Sequence, residues 1–494
     1  MLQMHQHIKA NLIAILLITP LFCIGQKQGN IWYFGDHAGL DFSSGSPVAI
    51  SDGQTYLMPS GESHSEGTSI ICDSSGSLLL YSNGEKVWNR NHEVMPNGDN
   101  LMGHISSTQA TLIVPKPKSS DIFYVFTTDA FYINHLRNGL RYSVVDMCLD
   151  DGLGDIVAES KNILLLDTAT EKLTAVRHAN KTDYWIIAHK YWSDAFYAYH
   201  LTSIGIVDTV VSHIGSIHQH IWVPTSTVSA NGQLRVSPDG TKIALCFSNT
   251  NPNYTELFDF NSVTGEVTNF VSIPDGFIND VANTYGVEFS PDNTKLYFTG
   301  GEAGIIQYDL TAGGGNPNAI INSKVLIANP TNFVFGMQLG PDGKIYVAQW
   351  NKTSIGVINN PNAYGTACNF VADAVSLNNR LCSYGIPNFV SNFDYNNNTV
   401  QCPILGINQH SIENLTLYPN PASKNTTFEF ENESFANCTL LLFNAQGQIV
   451  LTRHPITSNK VNLNLTNLSN GIYFIQLSQE NQILATGKLL IADE

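Results

Sequence analysis

Three stretches of the chain decide its fold: Leu234-Arg-Val-Ser-Pro-Asp-Gly-Thr-Lys-Ile-Ala-Leu-Cys-Phe247, Gly286-Val-Glu-Phe-Ser-Pro-Asp-Asn-Thr-Lys-Leu-Tyr-Phe298 and Gly336-Met-Gln-Leu-Gly-Pro-Asp-Gly-Lys-Ile-Tyr-Val347. Each is an apolar run, a tight turn and a second apolar run. Proline presets φ at the second turn position, Asp239 or Asp342 caps the backbone, and Gly240 or Gly343 takes the positive φ that closes a hairpin. The turn prolines Pro238, Pro291 and Pro341 stand 291 − 238 = 53 and 341 − 291 = 50 residues apart. Weaker copies lie upstream around 69–81, 110–125 and 174–187, and second hairpins follow at 256–270 and 305–310. Four strands per unit at a period of about 40 to 60 residues is the pattern of a propeller blade. Residues 31–42 read as a second hairpin lacking a first, and 386–393 as strands lacking a second hairpin. Together they complete a closing blade, for about seven in all, without a free sheet edge.

The composition fits this all-β reading. The chain has 494 residues, more than one core usually organises, with 10% aromatic and only 13% charged residues. Its formal net charge of −17, from 24 basic and 41 acidic side chains, sets it against a phosphate backbone, and no basic block offsets that, so nucleic acid is not an expected partner. Residues 1–25 read as a signal peptide: His5, His7 and Lys9 open it, an apolar run spans Leu12 to Ile24, and small Gly25 precedes Gln26. A lipoprotein alternative at Cys23 is weakened because Leu21-Phe22 supplies no small residue before it. No later segment is long and apolar enough to span a membrane, so no transmembrane segment is expected in the mature chain. Residues 26–398 form the propeller with WD/YVTN-like repeats, 399–411 a polar linker, and a new β-pattern fills 412–494 with about seven strands, a small immunoglobulin-like β-sandwich.

Two resemblances add to this. The stretch Asn83-Gly-Glu-Lys-Val-Trp-Asn-Arg-Asn-His-Glu-Val-Met-Pro-Asn-Gly98, with Ser106-Ser-Thr-Gln109, Glu171-Lys-Leu-Thr-Ala-Val-Arg-His-Ala179 and Ile386-Pro-Asn-Phe389, resembles a group of secreted seven-bladed propeller proteins of Bacteroidetes. It implies a fold and a secretion route, not an activity. The C-terminal order, from Tyr418-Pro-Asn-Pro421 through Asn444-Ala-Gln-Gly447 and Asn470-Gly-Ile-Tyr473 to Lys488-Leu-Leu-Ile491, resembles the type A sorting domain of the type IX secretion system. Tyr418, Pro419, Asn420, Pro421, Gly447, Gly471, Tyr473 and Lys488 fall on its motif. The resemblance implies the type IX translocon and a sortase-like peptidase as partners and a secreted or outer-membrane cell-surface destination; the last residues, Ala492-Asp-Glu494, lack the basic end many members carry. An accessory immunoglobulin-like domain is the structural alternative.

Chemistry is sparse in the sequence. No nucleophile elbow, phosphate loop or His-Glu-x-x-His motif appears, so no catalytic residue is assigned and no cofactor is expected. No metal site is expected either: His213, His218 and His220 have no carboxylate nearby in sequence, and Asp150-Asp-Gly-Leu-Gly-Asp155 lacks the closing Glu of a calcium loop and reads as a hairpin turn. Cys368 and Cys382 suit a disulfide in a loop-rich stretch, while Cys72, Cys148 and Cys246 read as small buried core residues. Trp88, Arg90, His92, Trp185 and Trp192, with Tyr184 and Tyr191, are candidates for a ligand-binding channel mouth, against the plainer reading of blade packing. The function expected is a binding or adhesion scaffold for an extracellular glycan or protein, with a propeller hydrolase or lyase acting on an extracellular polymer as the alternative. A deep pocket with convergent carboxylates would favour the enzyme, and a plugged channel the binder.

Overall fold

A computed structural model describes residues 27–57, 65–221, 227–247, 254–274, 284–300, 304–328, 333–392, 400, 402, 416–430, 438–479 and 482–492. The signal peptide expected at 1–25 lies outside them, as do Phe393 and most of the expected linker. The chain forms two compact units, residues 1–402 and 403–494. Val400 packs against the core shared by the second and third sheets, and Cys402 is bonded to Cys148, so both belong to the first unit.

The first unit is all-β. Among the described residues it lays out seven antiparallel sheets of three to five strands in chain order, each a meander of neighbouring strands, and a two-stranded ribbon of His220–Ile221 and Thr227–Val228 between the fourth and fifth. Sheet 1 holds Ile31–Phe34, Ala38–Asp41 and Val48–Ile50, and sheet 2 holds Ser69–Cys72, Leu78–Ser82 and Val87–Asn89. Sheet 3 runs from Thr111–Pro115 to Asp155–Ile156, with Ile163–Leu166 added on Leu140–Asp146. Sheets 4 to 7 have four strands each and open with Ala169–Arg177, Leu234–Val236, Val287–Phe289 and Val334–Leu339. Successive sheets bury apolar clusters between them, such as Trp185, Phe196, Leu245 and Phe258 between sheets 4 and 5. Trp32, Phe34 and Leu40 of sheet 1 share one with Tyr346, Ile355 and Val357 of sheet 7. At about 25 cal/mol per Å² of apolar surface removed from water, these double-faced strands are the main stabilising contribution.

The turn chemistry is as the repeat demands. In the first copy Ser237 Oγ donates to Asp239 Oδ1 at 2.6 Å and accepts from the Lys242 N–H at 2.9 Å, with Gly240 at φ 73°. In the second copy Asn293 occupies the equivalent position at φ 64°. Asn is the residue other than Gly that best tolerates that region.

Buried amide side chains bridge the first strands of neighbouring sheets. Gln109 Oε1 accepts from Leu173 N at 3.1 Å and Leu234 N at 2.8 Å, and Gln233 Oε1 accepts from Val287 N at 3.3 Å and Met337 N at 2.9 Å. Each glutamine oxygen supplies an acceptor to two buried backbone N–H groups of different sheets.

Residues 383–392 do not complete a ladder with 31–42. Ile386 and Phe389 pack against sheet 1, but the backbone pairs elsewhere: the bridges Thr68↔Pro387 and Val176↔Ser391 are both parallel. The segment is thus a strap along the first strands of sheets 2 and 4. Asn388 explains its path. Its Nδ2 donates to Leu173 O at 2.9 Å, its Oδ1 accepts from Arg235 Nη1 at 2.5 Å, and its backbone N–H donates to Thr68 O at 2.7 Å. A polar hub of this kind is satisfied only where several sheets meet. Sheet 1's first strand runs in the opposite sense, because Gly29 lies near Pro341 while Asp36 donates its N–H to Leu381 O at 2.9 Å beside the start of the strap.

The expected Cys368–Cys382 disulfide is corrected. Both are buried free thiols, Cys368 in the core of sheets 6 and 7 and Cys382 in that of sheets 1 and 7, so they face different interfaces. Cys148 pairs with Cys402 instead, which also removes Cys148 from the set of small core residues; Cys72 and Cys246 are buried and free.

The second unit has seven described strands in two sheets. One holds Thr416–Tyr418, Asn425–Glu429 and Lys460–Asn464; the other holds Cys438–Phe443, Ile449–Ile456, Gly471–Gln479 and Gln482–Ile491. Phe428, Leu440, Leu463, Ile475 and Leu489 fill one core between them. Among the described residues of the chain, no helix is long and apolar enough to cross a membrane.

Candidate functional site

Because the first strands of sheets 2 and 4 both run parallel to the strap, and Gln233 joins equivalent positions of sheets 5 to 7, the first strands of sheets 2 to 7 share one direction. Residues just before them gather at one end of the unit, and the Pro-Asp turns gather at the other.

At the strand-start end two carboxylates meet. Glu66 precedes sheet 2 and Glu171 lies in the first strand of sheet 4; Thr108 Oγ1 touches both, at 3.5 Å from Glu66 Oε2 and 2.9 Å from Glu171 Oε2. Tyr285 donates its hydroxyl to Glu66 Oε2, and Ser106 Oγ donates to Oε1 at 3.2 Å. Burial, then the charge of Glu171, pushes the Glu66 carboxyl up to about 8. Glu171 accepts from Thr108 N at 2.9 Å and Phe131 N at 2.8 Å as well as from Thr108 Oγ1, a donor set that stabilises its anion. Burial raises the Glu171 carboxyl as well, against the pull of those donors, so the two carboxyls titrate as a coupled pair displaced upward from the ordinary carboxylate range.

Aromatic rings flank this pair. Tyr285 lies 5.3 Å from Phe335 and 6.0 Å from Tyr384, Phe335 meets Tyr384 edge-on at 4.0 Å, and Phe333 stacks on Phe335 and meets Trp350 at 5.5 Å. All five rings are partly exposed. Trp350 Nε1 is buried with no acceptor among the described residues. Burial and then Glu66 push the Tyr384 hydroxyl up to about 12, so it remains a donor. Flat rings with a few fixed polar groups are what stacking on a sugar face or a peptide requires.

Behind Glu171, the neighbouring Lys172 is fully buried and donates to the carbonyls of Ser229 at 2.8 Å, Ala230 at 3.0 Å and Asn231; burial brings its ammonium down to about 8. The His189 and His218 rings lie 3.9 Å apart, tilted at 36°, and His218 Nε2 lies 3.5 Å from Glu256 Oε2. Burial drives both imidazoles well below their ordinary range, so they are neutral. His218 thus has a carboxylate neighbour that is distant in sequence, while His213 is exposed and paired with Asp194 at 2.8 Å.

The residues proposed from sequence for a channel mouth do not converge. Trp88 is 3% exposed and stacks on Tyr81 at 5.1 Å; His92 Nδ1 lies 3.1 Å from the same Tyr81 hydroxyl, between sheets 1 and 2. Arg90 is exposed and donates to Gly152 O at 2.6 Å. Trp185 is core between sheets 4 and 5, with Nε1 bonded to Ser262 O at 3.0 Å and its ring against Gly265. Trp192 is 60% exposed and follows the second strand of sheet 4 at the strand-start end. Sequence reading missed Glu66, Glu171, Tyr285, Phe335 and Tyr384. One signal was present: aligned on the turn prolines, Tyr285 and Phe335 occupy the same position, six residues before Pro291 and Pro341.

In the second unit the motif residues shape turns and an edge. Asn420 Nδ2 donates to Lys488 O at 2.8 Å and its Oδ1 accepts from Leu490 N at 2.9 Å, while Thr426 donates to Pro419 O at 2.9 Å. Tyr418 donates to Glu429 at 2.6 Å and Tyr473 to Ser469 O at 2.8 Å, and Gly447 at φ 77° closes the Asn444 turn. Residues 416–492 match the secretion system C-terminal sorting domain. The chain is an exported protein, carried by the type IX machinery to the cell surface or the extracellular space.

No curated protein matches the chain significantly. Among solved structures, hydrazine synthase of Kuenenia stuttgartiensis is 13% identical at a TM-score of 0.37, covering 74% of this chain and 100% of its own. A Bacteroides uniformis protein named as a 6-phosphogluconolactonase is 12% identical at 0.41, covering 70% and 97%. Virginiamycin B lyase of Staphylococcus aureus is 12% identical at 0.34, covering 60% and 79%. At these TM-scores the likenesses say nothing of activity.

Proposed function

We propose that this chain is a type IX cargo whose first unit is a closed seven-bladed β-propeller serving as a binding or adhesion platform for an extracellular glycan or protein. The core that sheets 1 and 7 share, with Ile386 and Phe389 of the strap packed into it, supports closure. Residues 1–25 are the cleaved leader, and Tyr418, Pro419, Asn420, Pro421, Gly447, Gly471, Tyr473 and Lys488 carry recognition by the translocon and the sortase-like peptidase. Truncation after Asn414 should leave the body folded in the periplasm; arrival outside the cell would overturn that role.

The observation that carries the binding reading is the partly exposed aromatic group of Phe333, Phe335, Trp350 and Tyr384 beside Glu66 and Tyr285. Glycan and peptide arrays probed with the mature chain and with Tyr384→Ala are the test. Signals lost in the variant support this end as the binding surface, and signals it retains place binding elsewhere. The hydrolase or lyase reading is favoured by the coupled, upward-displaced carboxyls of Glu66 and Glu171, which suit general acid–base work. Polymer turnover abolished by Glu66→Gln would establish it.

A further inference from the structure

The opposite end has its own architecture. Counting back three residues from Pro238, Pro291 and Pro341 gives Arg235, Glu288 and Gln338, one position in three successive repeats. All three line a single cleft of about 410 Å³ at the turn end, within the size range of small-molecule sites.

The first two cancel. The Arg235 and Glu288 side chains are 3% and 5% exposed and lie 3.5 Å apart. Arg235 Nη2 donates to Met337 O at 2.9 Å, and Glu288 accepts from Phe289 N at 2.9 Å and Leu339 N at 3.0 Å. The cleft therefore presents no uncompensated charge. The third is different. Gln338 is 8% exposed, and its Nε2 donates to Leu339 O at 3.1 Å, which fixes the amide; its Oε1 is buried with no donor among the described residues. Asn392, also on the cleft wall, uses Oδ1 to accept from Arg177 N at 2.9 Å and keeps Nδ2 for another acceptor. Phe389 and Leu339 supply apolar wall. A buried amide oxygen without a donor is a cost that a bound hydroxyl offsets.

We propose that this cleft is a second binding site, for a small neutral polyhydroxylated molecule the size of one sugar ring, with a hydroxyl donating to Gln338 Oε1 and another accepting from Asn392 Nδ2. The site stands apart from the aromatic end, and it can hold or fail whatever that end binds.

The test is calorimetric titration of the full mature chain with glucose, galactose, mannose and N-acetylglucosamine, and with glucuronate and glucosamine as charged counterparts. At least one neutral sugar should bind, its charged counterpart should bind at least tenfold more weakly, and Gln338→Leu should weaken the neutral sugar at least tenfold, the loss of one buried hydrogen bond. Ser391→Phe, which fills the cleft from the strap, should abolish binding and serves if Gln338→Leu does not fold. Val207→Ala, exposed on the fourth strand of sheet 4 and outside both the cleft and the aromatic group, should leave the affinity unchanged. Absence of binding by all four neutral sugars, equal binding of charged and neutral forms, or wild-type affinity in the folded cleft variants would overturn the proposal.

Discussion

The inner strands start among carboxylates and aromatic rings and end among proline turns and a neutralised ion pair, and the two ends are built by different rules. At the turn end, Arg235 and Glu288 occupy one repeat position and face each other, so charge enters in compensated form. At the start end, Glu66, which precedes sheet 2, and Glu171 of sheet 4 share the Thr108 hydroxyl with no cation bonded to either among the described residues, and burial pushes the Glu66 carboxyl up to about 8. The equivalent repeat positions thus pair one charge with its opposite and leave Gln338 as the neutral third member. Residues outside the repeat yield the strained protonation states on which chemistry and recognition draw.

The largest way to break this comparison is to remove one partner at the turn end. Arg235→Met leaves Glu288 buried and alone and should cost about 3–5 kcal/mol. Arg235→Met with Glu288→Met should recover most of that loss, because two apolar side chains need no pairing. Urea denaturation of the two single variants and the double variant measures it. A single-variant cost below about 1 kcal/mol would mean the pair is not what satisfies this end.

Next in size is the covalent tie. Cys148 follows the strand Leu140–Asp146, whose end pairs with the start of Ile122–Thr128, so the bond to Cys402 fastens the chain on the turn side. Replacing both cysteines by serine should destabilise the body by about 2–4 kcal/mol, with the reduced wild type behaving alike. A thermal midpoint indifferent to reductant would remove the tie from the comparison.

The start end should instead respond to pH. Glu66 has its folded pKa raised from 4.5 to about 8, so its contribution to stability is present in full below pH 4.5 and is lost as pH rises through about 8. His189 and His218 are depressed, so their contribution is present above about pH 6.5 and is lost as pH falls through their folded values. Glu66→Gln should make the alkaline limb shallower, with the raised Glu171, Glu256 and Glu288 carboxyls supplying what remains of it, and leave the acidic limb in place. Stability curves from pH 4 to 9 that superimpose for wild type and variant would show that the proton is not held there.

How far the sequence could be read follows the same division. The turn end was legible because Ser237, Pro238, Asp239 and Gly240 act on their immediate neighbours, and local chemistry repeated at about 50 residues announces a hairpin each time. The sorting domain was legible for a like reason, its motif lying on contiguous turns such as Asn444 to Gln448. The start end was not. Glu66, Thr108, Glu171 and Tyr285 span more than 200 positions and carry no shared motif, so only the lateral packing of sheets brings them together. The strap was half legible: 386–393 was seen to return to the N-terminal strands, but the pull of Asn388 toward four other sheets depends on carbonyls and amides whose orientation no one-dimensional pattern reveals. The Cys148–Cys402 pairing was hidden because Cys402 lay in a segment read as linker.

The sequence grouped two tryptophans together, and the smallest effect on stability belongs to the exposed one. Trp185 is 3% exposed, bonded to Ser262 O and pressed against Gly265, whose φ of 77° leaves no room for a Cβ beneath the ring. Trp185→Ala should cost about 3–5 kcal/mol, as for any large core aromatic. Trp192 stands 60% exposed at the start end, held by its backbone N–H on His218 O at 2.7 Å, so its side chain contributes little to folding. Trp192→Ala should change stability by less than about 0.5 kcal/mol. If the binding platform proposed for that end extends to this exposed indole, the same variant should weaken capture of whatever the arrays identify there. Denaturation paired with array binding therefore sharpens the contrast between the two ends: an unchanged midpoint with reduced binding extends the recognition surface across sheet 4, whereas an unchanged midpoint with full binding confines it to the rings around Tyr384.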